Sequence, residues 1–95
     1  MTDKVFIDAS AFVALYNNDD SCHDQAKDIL QSLLKKEVIL MTAYEVVLET
    51  ATVLRRKSGL PAAADFLNQI RTGAFFLLSV DERVRNRAEE IFLTI

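Results

Sequence analysis

The chain has 95 residues, a formal net charge of −3, about half of its residues hydrophobic and about a quarter charged. This composition fits one soluble globular domain or part of one, excludes a disordered polar chain, and argues against a bulk nucleic-acid binder, which is normally basic. The single cysteine, Cys22, excludes an intrachain disulfide, and the acidic start (Asp3, Asp8) does not suit a signal peptide, so a cytoplasmic setting is expected.

In chain order, Val5-Phe6-Ile7 is a continuous apolar run, as in a strand buried on both faces, and Asp8 ends it. Ser10 is the expected cap of a short helix over Ala11 to Tyr16, and Asn17-Asn18-Asp19-Asp20 signals a turn. Ser21 then caps a predicted helix from Cys22 to about Lys36, with Ala26, Ile29, Leu30, Leu33 and Leu34 at helical spacing. Val38 to Met41 reads as a second buried strand. Thr42 and Glu45 have capping-box spacing, which predicts a third helix over Ala43 to Lys57, stopped by Gly59. Pro61 suits the first turn of a fourth helix, which runs to Thr72 with Ala63, Phe66, Leu67 and Ile70 inward and ends at Gly73. Phe75 to Val80 is the third predicted strand, and Asp81 caps a fifth helix over Glu82 to Leu93. Strands separated by helices imply an α/β domain with a parallel sheet and right-handed crossovers.

Two carboxylates carry possible chemistry. Asp8 follows an apolar strand and precedes a helix, and ligands of parallel sheets bind outside the carboxyl ends of strands. A carboxylate there is placed either to hold a hard cation or merely to cap the next turn. Glu49 shares a helix face with Glu45, Thr52 and Arg56, which is equally the pattern of a solvated face. Arg55-Arg56-Lys57 ends that helix, where cations offset the helix dipole or contact an RNA backbone. His23 and Cys22 lack further ligands for a metal site. Two glycines, Gly59 and Gly73, leave no phosphate-binding glycine loop. Phe66 and the Phe75-Phe76 pair read as core rather than as a base-stacking platform.

Three stretches together resemble the PIN domain family in the right order. They are VFIDASAFVALYNNDDSCHDQA, VILMTAYEVVLETATVLRRKSG and FFLLSVDERVRNRAEEIF. The resemblance implies a three-layer α/β/α domain, with three strands present here, and a magnesium- or manganese-dependent endoribonuclease, the toxin of a toxin–antitoxin pair. It implies Asp8 and Glu49 as metal-binding and catalytic acids, with Glu45 the competing choice for the second acid, set aside because its cap spacing from Thr42 explains it structurally, and with Ser10 beside the ion, holding a water or phosphate oxygen. Arg55 and Arg56 are candidate RNA contacts. An antitoxin and a second copy of the chain are the implied partners, and no membrane is.

The family has further acids in a later helix, and this sequence ends before them, with an apolar Ile95. The expectation is therefore the N-terminal two-thirds of a domain, residues 1–95, with an incomplete active site. Asp81 and Glu82 do not replace the missing acids; they read as a helix cap and a first-turn charge. A strand-four neighbour for Val5-Phe6-Ile7 is also expected to be missing, leaving an apolar edge prone to association. The alternative reading is a catalytically inactive PIN-like module acting through dimer or antitoxin binding. An unrelated phosphate-acceptor module with Asp8 as its acceptor ranks last.

Overall fold

The computed structural model describes residues 3–78. Their order is β1 (Lys4–Phe6), α1 (Ala9–Tyr16), α2 (His23–Lys35), β2 (Ile39–Ala43), α3 (Tyr44–Ser58), α4 (Leu60–Arg71) and β3 (Phe76–Leu78). The predicted continuation of the third strand to Val80, the fifth helix and its cap Asp81 lie outside the described residues.

The three strands form a parallel sheet in the order β1-β2-β3, with Phe6 opposite Met41 and Met41 opposite Phe76. Each crossover carries two helices and steps the same way across the sheet. Right-handed crossovers stepping the same way place their helices on the same face. Burial agrees with this placement. Ile7 and Leu40 join Phe12 and Val13 of α1, Val47 and Leu54 of α3, and Ala63 and Phe66 of α4 in one core. Side chains alternate along a strand, so the opposite face carries Phe6, Ile39 and Phe76, all exposed. Phe76 is 60 % exposed, which corrects the expectation that it is core; Phe75, one residue earlier and on the other face, is buried.

An aromatic group holds the helices to the sheet. Phe12 meets Phe66 and Phe75 edge-on, at centroid distances of 5.0 and 5.1 Å, and Tyr16 meets Phe66 at 5.3 Å. Edge-on contact places positive ring edges against negative faces.

Helix α2 has a clear apolar stripe but no fully buried residue. Leu30 and Leu33 pack against the core, whereas Ile29 and Leu34, expected inward, are 52 % and 60 % exposed. Its start is tied down by His23, whose Nδ1 donates to the Ala14 carbonyl of α1 at 2.8 Å. Helices α3 and α4 meet at one residue, Gly59, with φ 92° and ψ 174°.

Three expected caps are replaced. Asp8, not Ser10, caps α1. Cys22 rather than Ser21 holds the N-cap position of α2, with no side-chain cap bond. Thr42 does not cap α3: the strand continues through Ala43, and Thr42 is a fully buried strand residue. Thr42 is in register with Leu77 of β3, and a β-branched residue suits a strand position better than a helix start.

Candidate metal-binding site

Strand β1 delivers Asp8 to the carboxyl end of the sheet. The amide of Ile7 donates to the Met41 carbonyl at 2.8 Å, so pairing with β2 continues to the residue before Asp8. Asp8 then takes extended backbone angles and turns the chain into α1. Its Oδ1 accepts from the Ala11 amide at 3.1 Å and from the Ser10 hydroxyl at 2.9 Å. These two bonds, the Ala11 amide first, hold the Asp8 carboxyl below the usual carboxylate range, because both stabilise the charged form. Asp8 is thus an exposed, ionised carboxylate fixed through one oxygen.

Glu49 lies in the second turn of α3, exposed, beside the buried Thr50. Helix α3 follows β2 directly and packs on α1, so Asp8 and Glu49 sit on elements that leave the same end of the β1–β2 pair. Glu45, Glu49, Thr52 and Arg56 are all exposed, as the shared helix face predicts. Arg55 and Arg56 occupy the last turn of α3 with Lys57, roughly 10 Å along the axis from Glu49 at the usual helical rise.

Among the described residues, no three His, Cys, Asp or Glu side chains are grouped so as to hold a metal ion. A pair of carboxylates suits a hard divalent cation that keeps several waters and takes further oxygens from substrate. Mg²⁺ and Mn²⁺ are of this kind. Asp8 suits such an ion, being charged and fixed through one of its two oxygens.

Ser10 is in the first turn of α1, beside Asp8, but its hydroxyl hydrogen is engaged by that carboxylate. It retains acceptor capacity for a water, whereas donation to a phosphate oxygen, as expected from the sequence, competes with its bond to Asp8.

The roles of two residues of this region escaped the sequence reading. Thr42 donates its Oγ1 hydrogen to the Ile7 carbonyl at 3.0 Å in the interior. Thr50 is fully buried, and its Oγ1 has no hydrogen-bond partner among the described residues. Thr42 carried a signal, since a β-branched polar residue at the end of an apolar strand suits the ladder as well as a cap. Thr50 carried none.

The sequence profile of the PIN domain family matches residues 5–94. The chain belongs to the PIN domain family. In three dimensions it is similar to the VapC20 toxin of Mycobacterium tuberculosis, described as a sarcin-ricin loop cleaving toxin. The TM-score is 0.81 at 28 % identity, over 93 % of this chain and 65 % of VapC20. The PIN chain thus spans about two-thirds of the length of that structure. No curated protein sequence matches it. The parallel sheet with its paired crossover helices is the α/β PIN-like fold read from the sequence. No helix among the described residues is long and apolar enough to cross a membrane.

Proposed function

We propose that this PIN chain is a magnesium-dependent endoribonuclease of the toxin type, hydrolysing RNA phosphodiester bonds, with Asp8 and Glu49 holding Mg²⁺ or Mn²⁺. The observation that carries the reading is Asp8 itself: a charged carboxylate at the end of β1, oriented through Oδ1 by the Ala11 amide and the Ser10 hydroxyl. The likeness to VapC20, a sarcin-ricin loop cleaving toxin, supports RNA as the substrate class. A bound divalent ion supplies a polarised phosphate and a more acidic water. Asp8 and Glu49 supply the negative charge that retains the ion. Ser10 holds Asp8 in one orientation and accepts a hydrogen bond from a water beside it. Arg55 and Arg56, exposed at the end of the same helix as Glu49, contact the RNA backbone at a distance from the scissile bond.

The partners proposed are an antitoxin and a second copy of the chain. An apolar groove between α1 and α2, lined by Leu15, Ile29, Leu30 and Leu33, supports a protein partner on that face. The lone cysteine supports a reducing, cytoplasmic setting.

The test is Mn²⁺ binding by calorimetry. Asn caps a helix about as well as Asp, so Asp8→Asn keeps the start of α1 and removes the charge. Binding lost in Asp8→Asn and weakened in Glu49→Gln is the expected result. Unchanged binding in both variants would refute the assignment. Intact Mn²⁺ binding without RNA cleavage would favour a module that acts through its protein partners.

A further inference from the structure

We infer that Thr42 is a positioning residue for Asp8, its buried hydroxyl fixing the peptide that carries the carboxylate. This rests on the reading of Asp8 as a cation ligand for its consequence, but not for its geometry.

The parallel ladder between β1 and β2 proceeds through the Ile7 amide to the Met41 carbonyl. At the Ile7 carbonyl, the next acceptor, the donor is the Thr42 side chain, at 3.0 Å. Thr42 is fully buried, so no water competes for this bond. The Ile7 carbonyl and the Asp8 amide belong to one planar peptide unit. Holding its oxygen therefore holds the plane from which the Asp8 side chain departs. Asp8 is then fixed from both sides: through Ile7 by Thr42 and through Oδ1 by its own helix.

Thr42 also stands two residues before the start of α3, with only Ala43 between them. One hydroxyl thus joins the segment that launches Asp8 to the segment that launches the Glu49 helix. Apolar packing cannot replace it, because a carbonyl left unpaired in the interior must shift to find a donor.

The closing experiment compares Thr42→Val, Thr42→Ala and Thr42→Ser by amide hydrogen exchange and Mn²⁺ binding. The probe is the Ala11 amide, which donates to Asp8; the reference is the Leu54 amide, in the buried interior of α3. Thr42→Val and Thr42→Ala should speed exchange at Ala11 by about tenfold relative to Leu54, as expected for one lost hydrogen bond. Thr42→Ser should match the wild type. Mn²⁺ affinity should fall by about tenfold in the Val and Ala variants, as for other residues that orient a ligand. A role in general stability alone would move Ala11 and Leu54 together, and that result overturns the proposal. Unchanged exchange at Ala11 overturns it as well. If the wild type binds no Mn²⁺, the cation reading of Asp8 fails separately, and the Ala11 measurement still decides the role of Thr42.

Discussion

The hydroxyl of Ser10 donates to Oδ1 of Asp8 at 2.9 Å, sharing that oxygen with the Ala11 amide. Both donors favour the ionised carboxyl, so the Asp8 pKa in the folded chain lies below its unfolded value. A depressed carboxyl pKa adds stability above the unfolded pKa, about 3.9, and that stability is lost as pH falls through the folded value. Acid unfolding of the wild type should therefore include an Asp8 contribution below about pH 4. Ser10→Ala should raise the Asp8 pKa, measured by NMR titration of its side-chain carboxyl. A pKa no higher in that variant would show that the Ala11 amide alone sets it.

Thr50 buries a hydroxyl without a partner among the described residues. Thr50→Val keeps the branched shape and removes the unpaired oxygen, so it should raise unfolding stability by about 1 kcal/mol in urea denaturation. A loss of stability would mean that the hydroxyl is paired in solution.

Gly59 joins α3 to α4 at φ 92° and ψ 174°, a backbone region open essentially to glycine alone. Space is not the obstacle, since an added Cβ would lie 3.7 Å from Pro61 Cδ, an ordinary contact. The cost is in the backbone: Gly59→Ala should lower stability by about 1–3 kcal/mol. Thermal unfolding checks this, and a neutral result would require the helix joint to adopt another geometry.

Phe66 is fully buried and meets both Phe12 and Tyr16 edge-on. Phe66→Ala should cost about 3–5 kcal/mol, a large share of the stability of a small domain. Chemical denaturation should show a corresponding drop in midpoint, with Phe66→Leu intermediate.

The order of strands and helices through residue 78 was legible because apolar runs and helical periodicity are regional signals, and several residues agree in each. The caps were less legible because each depends on one hydrogen bond. Thr42 and Glu45 have the spacing of a capping box, yet β2 runs one step further and turns Thr42 inward. The exposure of Phe76 was missed for a related reason: its neighbour Phe75 is core, and strand alternation separates the two. At the candidate site, the position of Asp8 followed from the strand–helix order, and its placement as a helix cap matches the alternative considered for it. The engagement of the Ser10 hydrogen by Asp8 depends on a side-chain orientation that sequence spacing does not encode.

The single-residue corner at Gly59 also matters to anyone who cuts or extends this chain. A corner with no spare residues transmits any added length directly into the angle between its two helices, and from there into the Phe66 contacts. The turn after α1 is different: Asn17, Asn18, Asp19 and Asp20 form a hydrogen-bonded surface turn several residues long, with Asn18 and Asp19 exposed. A fluorescent label, a protease site or a split point belongs at that turn, beside the exposed Asn18 and Asp19, and not at the glycine corner, where two helices meet with no residue to spare.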